Sequence, residues 1–188
     1  RKMAEHGVAI AAKRVETLAQ LSGQIDLSPD TAFPRAEISL IGMLEDGLEN
    51  RSALEAEEAF RAALEKNRNE DSQSGRTGFG PHKTDMIVVH NGKKMPAHLC
   101  STGEQKALMI GIILAHSKMI KNLQGSAPIL LLDEVAAHLD KDRMTLLFEE
   151  LIGLGSQAWL TGTDKGLFEY LEGQSEIFEV KNAKLNRV

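Results

Sequence analysis

Residues 128–134 read Pro-Ile-Leu-Leu-Leu-Asp-Glu, a run of apolar side chains that stops at two adjacent carboxylates, Asp133 and Glu134. A strand with no polar residue to turn toward water is predicted to lie centrally in a parallel sheet, covered on both faces. The carboxyl ends of such strands face the ligand crevice. An aspartate placed there can hold Mg²⁺, directly or through water, and the acid that follows can polarise an attacking water. The same pattern arises where a buried strand simply runs into a loop, so this segment alone leaves both readings open.

Working outward, a helix is predicted over about 103–121, ahead of the turn residues Gly125 and Ser126. A second helix follows over about 140–153, then a β run at 158–161, a short helix near 165–171 and a strand at 175–180. This alternation predicts an α/β fold built on a parallel sheet. The first half of the chain is organised differently. Val8, Ala11 or Ala12, Val15 and Leu18 form one face of a helix over 3–22, broken by Gly23 and then by Ser28-Pro29-Asp30. Residues 36–45 read as a strand. Ser52 and Glu55 have capping-box spacing at the head of a helix over about 50–68, whose face is Ala53, Ala56, Phe60 and Ala63 or Leu64. Residues 71–81 have loop composition, and 84–90 with 94–99 read as two short strands around Asn91-Gly92.

Composition narrows the classes. At 42% apolar and 26% charged residues the 188-residue chain can bury a core. Its longest apolar or glycine run, 107–115, is nine residues, against the roughly 20 needed to cross a bilayer as helix, so no membrane partner is expected. Net charge is −5 and acids outnumber bases on both sides of His98, so charge alone does not predict nucleic-acid binding. Cys100 is the only cysteine and permits no internal disulfide, which suits a reducing, cytoplasmic setting. No secretory leader is visible. The chain opens on Arg1, and a longer parent polypeptide is expected.

Two further segments carry chemistry. Cys100-Ser101-Thr102-Gly103-Glu104-Gln105-Lys106 heads the helix that precedes the carboxylates. A serine, a glycine and the free N–H groups of a helix start form an anion site; equally, Ser101 or Thr102 can be a plain N-cap. The second segment, Ala136-Ala137-His138-Leu139-Asp140, follows the carboxylates closely, and its Asp140 can simply cap the next helix.

In this order and spacing the three segments resemble the C-terminal half of an ABC-type ATPase head: signature motif, Walker B strand and D-loop. Within that superfamily the chain is most similar to the RecF family of DNA replication and repair proteins. The matching stretches are Arg76-Thr77-Gly78 leading into Gly80-Pro81-His82-Lys83-Thr84-Asp85, then 101–106, 129–134, 136–140 and Thr161-Gly162-Thr163-Asp164. The resemblance implies a mostly parallel sheet flanked by helices over 76–188, with 1–75 as the returning part of a helical arm. It implies ATP and Mg²⁺ as cofactors. Ser101 and Gly103 would contact the γ-phosphate of an ATP held mainly by a second protomer, Asp133 would serve the Mg²⁺ site, Glu134 would be the general base and Asp140 would lie at the dimer interface. Thr163 and Asp164 stand where many ABC proteins carry a switch histidine. Cys100 replaces the usual Leu of the signature, while Thr102 and Glu104 replace its middle Gly and its Gln. The implied partners are DNA at single-strand/double-strand junctions, a second copy on ATP, and RecO and RecR, in recombinase loading.

No G-x-x-x-x-G-K-[ST] loop occurs in these residues, since the only Gly-Lys pair, Gly92-Lys93, is followed by Lys94. The phosphate cradle is therefore expected on upstream sequence, and the chain alone should bind ATP weakly or not at all. An SMC or Rad50-type head is the competing reading within the superfamily, although the first helix shows little heptad pattern. A non-catalytic interaction domain and a metal hydrolase without nucleotide are the competitors outside it. Arg76, His82 and Lys83 lie in an acid-free stretch that suits either a solvated loop or a phosphate contact. Met86, Met95, Met109 and Trp159 are expected in packing roles, and the six histidines show no zinc-binding spacing.

Overall fold

The computed structural model describes residues 2–28, 33–135 and 139–188. These described residues form two compact units, one from residues 2–28 and 34–101 and the other from residues 33, 102–135 and 139–188.

Among the described residues the first unit holds three α-helices, two short 3₁₀ turns and an antiparallel sheet. Helix α1 (Lys2–Leu27) runs through Gly23, where the sequence predicts a break, and buries Leu21 and Ile25 on either side of it. Burying Ile25 to 4% exposure outweighs the roughly 1 kcal/mol that a mid-helix glycine costs. Helix α3 (Ala53–Ser74) starts on the expected capping box: the Ser52 hydroxyl accepts from the Glu55 N–H, and the Glu55 carboxylate accepts from the Ser52 N–H at 2.8 Å. It extends six residues past the expected end and stops at Gly75, whose φ of 68° is the left-handed C-cap that glycine adopts without penalty. The core of this unit is Ala4, Val8 and Ala11 of α1, Leu44, and Ala56 and Phe60 of α3. Gly7 lies in the same α1 stripe because nothing larger fits. A Cβ there would come within 2.6 Å of Phe60 Cε1, on a ring only 2% exposed.

The strand expected over 36–45 is shorter. β1 (Ala36–Ile41) stops at Gly42, and α2 (Met43–Asn50) begins directly after it. The cause is Glu45, which is 3% exposed and turned inward. Both its oxygens accept from Thr84 Oγ1, at 3.0 and 2.9 Å, and Arg14 Nη1 stands 3.6 Å from Oε1. Gly42 passes so close to this pair that a Cβ would lie 2.8 Å from Thr84 Oγ1. A charge buried in this way persists only when it is paired and hydrogen-bonded. β1 pairs antiparallel with β2 (Asp85–His90), and β2 with β3 (Met95–Pro96). β3 is two residues long, against the six expected over 94–99, because the chain leaves Pro96 directly into a 3₁₀ turn at Ala97–Leu99.

The second unit is the α/β part. Helix α4 (Thr102–Gln124) precedes β4 (Leu130–Leu132), and helix α5 (Lys141–Leu154) precedes β5 (Ala158–Leu160). β4 and β5 are parallel, as expected, with Leu130 opposite Ala158, Leu131 opposite Trp159 and Leu132 opposite Leu160. Ala107, Ile110 and Leu114 of α4, Leu130 and Leu132 of β4, and Met144, Leu147, Phe148, Leu151 and Leu154 of α5 make one core. Double coverage of β4 is not observed among the described residues. Leu131 is 76% and Trp159 53% exposed, because the core receives only the strand face that carries Leu130 and Leu132. Trp159 is thus not a packing residue here, and neither are the exposed Met86 and Met109. The strand expected at 175–180 begins at 178. β6 (Phe178–Lys181) folds back onto β7 (Lys184–Arg187) through Asn182 and Ala183, both at positive φ as a two-residue hairpin turn requires.

Candidate functional site at the end of the parallel strands

Because β4 and β5 are in register to their last residues, the positions just beyond them come side by side, and these are Asp133 and Thr161. The Thr161 N–H donates to the Leu132 carbonyl at 3.1 Å, extending the ladder by one bond. The Thr161 hydroxyl then does two things. It donates to Asp133 Oδ1 at 2.5 Å, and it accepts from the Glu134 N–H at 2.8 Å. Glu134 has a φ of 45°, the left-handed region that non-glycine residues seldom occupy. Its carbonyl accepts from Lys106 Nζ at 2.6 Å. Immediately after it, Val135 is buried to 3% exposure and anchors the chain in the core. The two carboxylates themselves are exposed, so a fixed backbone carries acids open to an incoming ligand.

The other expected residues fall as follows. Gly103, half-buried, lies in the first turn of α4, where the N–H groups of a helix start lack intrahelical acceptors. Ser101, exposed, directly precedes that helix, and the thiol of the buried Cys100 lies 3.6 Å from the Pro96 carbonyl. Ser101 belongs to the first unit, whereas Asp133 and Glu134 belong to the second. Of the 136–140 segment, residues 136–138 lie outside the described residues. Asp140 caps α5, its Oδ1 accepting from the Arg143 N–H at 2.9 Å. Thr163 is exposed on the segment that follows β5. Asp164 accepts from the Gly166 N–H at 2.9 Å and so starts the 3₁₀ helix Lys165–Leu171. In the loop after α3, His82 Nε2 donates to the Thr77 carbonyl at 2.8 Å and the Gly78 N–H donates to Asp71 Oδ1 at 2.8 Å. Arg76 and Lys83 remain exposed there.

Thr161 and Lys106 were not singled out by sequence reasoning. Thr161 had a usable signal, since two parallel strands ending together place a hydroxyl opposite the aspartate. Lys106 had none, because its reach to Glu134 depends on how α4 packs. The donor set suits Mg²⁺. Asp133 offers a hard carboxylate with acceptor capacity beyond its one bond from Thr161, and no group of three or more His, Cys, Asp or Glu able to hold a metal occurs among the described residues. A single protein carboxylate completed by waters and phosphates is how Mg²⁺ is commonly bound.

The α/β fold with this acidic strand end defines the class: it is the fold of half an ABC-type ATPase head. The particular resemblance is to RecF, and it extends over the whole chain. "DNA replication and repair protein RecF" of Brucella abortus (strain 2308) is 49% identical over 188 residues, covering 100% of this chain and 49% of that protein. The protein of the same name from Mesorhizobium japonicum is 51% identical over 180 residues, covering 95% of this chain and 48% of the relative. A solved structure of the recombination mediator protein RecF-ATPrS in the RecFOR pathway superposes with a TM-score of 0.76 at 22% identity, covering 100% of this chain and 48% of that one. A second, RecF-ATP in the same pathway, gives 0.73 at 21% with the same coverage. The chain therefore spans about half the length of the curated relatives it matches. No family model matches it, and no helix among the described residues is long and apolar enough to cross a membrane.

Proposed function

We propose that this chain is part of a RecF-like DNA repair and replication ATPase. In this reading ATP closes two copies around DNA at single-strand/double-strand junctions and, with RecO and RecR, assists recombinase loading. The observation that carries the chemistry is the pair Asp133–Glu134, exposed at the end of a parallel strand and bound to Thr161 through both an Asp133 oxygen and the Glu134 amide. Glu134 orients the attacking water and takes its proton. Asp133 would hold Mg²⁺, which when bound would supply charge neutralisation to the phosphates. Thr161 keeps the Asp133 carboxylate from rotating, so that its geometry is set before nucleotide arrives.

Ser101 and the first-turn amides of α4, at Gly103, receive the γ-phosphate of a nucleotide held mainly by the other copy, because orphan N–H groups and the helix dipole both favour negative charge. Asp140, at the start of α5, lies toward the dimer partner. Thr163 occupies the γ-phosphate-sensing position with a hydroxyl in place of an imidazole.

The test is Glu134→Gln in a polypeptide of the relatives' full length. The amide keeps the shape but cannot accept the proton, so ATP turnover falls by about 10²-fold or more while the ATP-bound dimer persists in size-exclusion chromatography. Unchanged turnover and unchanged nucleotide-dependent dimerisation would identify Asp133 and Glu134 as the end of a strand in an interaction domain.

A further inference from the structure

Lys106 is the fifth residue of α4, close to the positive end of the helix dipole, where a cation is disfavoured. Its ammonium group does not pair with an acid of its own helix in the structure but crosses to the backbone carbonyl of Glu134, 28 residues away, at 2.6 Å. Glu134 is itself in a costly conformation, with φ at 45°. A non-glycine residue stays in that region only when its surroundings over-determine it. Two groups do so here: the Thr161 hydroxyl takes the N–H on one side of the residue, and Lys106 takes the C=O on the other. With either gone, the backbone at Glu134 is free to return to ordinary φ, which rotates its Cα–Cβ bond and carries the carboxylate to a different place.

We propose that Lys106 is a positioning residue for Glu134, fixing the carboxylate through its backbone and tying its orientation to the first turns of α4. This rests on the reading of Glu134 as the base. Lys106 makes no contact with the reacting groups in this role, so it affects the chemical step and leaves nucleotide affinity unchanged. Because α4 also carries Gly103, any shift of that helix end on engaging a phosphate is transmitted to Glu134 through one hydrogen bond.

The experiment compares Lys106→Met, Lys106→Gln and Lys106→Arg with Glu134→Gln in a polypeptide of the relatives' full length, with kcat and KM for ATP measured separately. Lys106 is only half-buried, and Gln provides a second neutral variant should Met disturb folding. The expected result is a fall in kcat of about tenfold for Met, equivalent to one charge-assisted hydrogen bond, and a smaller fall for Gln, whose shorter amide can donate only a neutral bond, with KM unchanged. Arg, which still donates, restores most of the rate. Amide exchange at Glu134 quickens in the Met variant and not in the Arg variant. Unchanged kcat in Met and Gln, with turnover lost in Glu134→Gln, overturns the role of Lys106 and leaves the base in place. A loss of kcat that Arg fails to restore also overturns it. Unchanged turnover in Glu134→Gln overturns both.

Discussion

Two glycines in one helix provide an internally controlled test of the first unit. Gly7 and Gly23 both lie inside α1, so replacing either with alanine offers the same intrinsic gain of about 0.8–1.0 kcal/mol. Their surroundings differ. A Cβ at Gly23 meets nothing within 4 Å, whereas one at Gly7 comes within 2.6 Å of Phe60 Cε1 and 3.3 Å of Cδ1. The Phe60 ring is 2% exposed and held among Ala4, Val8, Ala11, Leu44 and Ala56, so it cannot swing away without moving the helices. Overpacking of this kind costs about 1–3 kcal/mol. Gly23→Ala should therefore stabilise by about 1 kcal/mol, and Gly7→Ala should fall below it by about 1–3 kcal/mol. Urea unfolding followed by far-ultraviolet circular dichroism measures both. Phe60→Leu in the Gly7→Ala background should recover part of the difference, since neighbouring substitutions couple. Equal stabilisation by the two alanines would refute the close approach of α1 and α3.

Other consequences are as direct. Arg14→Met leaves the Glu45 carboxylate buried without its cation; the loss should be roughly 2–3 kcal/mol, below the 3–5 of a fully buried pair because the Arg14 side chain is 41% exposed, and is read from the shift in urea midpoint. Phe148→Ala, at a ring 1% exposed beside Phe168 and Tyr170, should cost about 3–5 kcal/mol, measured by calorimetry. The Ser52 hydroxyl, then the Ser52 backbone N–H, hold the Glu55 carboxyl below its ordinary pKa of 4.5. The capping contribution is therefore full above that value and fades as pH falls through the lower folded one. Ser52→Ala removes the larger of the two donors and keeps the backbone N–H, so it should weaken this acid dependence without abolishing it, which is followed by the Glu55 carboxyl shift in nuclear magnetic resonance.

How far the sequence could be read depended on whether local chemistry or packing decided each feature. The parallel strands with their acidic end were legible because 129–132 contains no polar residue and the carboxylates follow at once. The starts of α3 and α5 were legible for the same reason, each being capped by a side chain of its own first turn, Ser52 and Asp140. The split of 36–45 was hidden because Glu45 is buried by Thr84 and Arg14, partners 39 and 31 positions away. The β6–β7 turn was hidden because Ala183 occupies a left-handed position that usually announces itself with glycine. At the site, the identities of Asp133 and Glu134 were visible in the sequence, but the restraint on them was not. It comes from Thr161 and Lys106, whose proximity exists only after β5 and α4 have packed.

The bare face of β4 and β5 gives this protein a built-in optical probe. Trp159 is the sole tryptophan of the chain and stands, 53% exposed, beside Leu131 on that face. An indole exposed to this degree should emit, in this polypeptide, as one in contact with water. Whatever dries that surface will shift the spectrum toward the blue, so a fluorimeter and no added label can follow it.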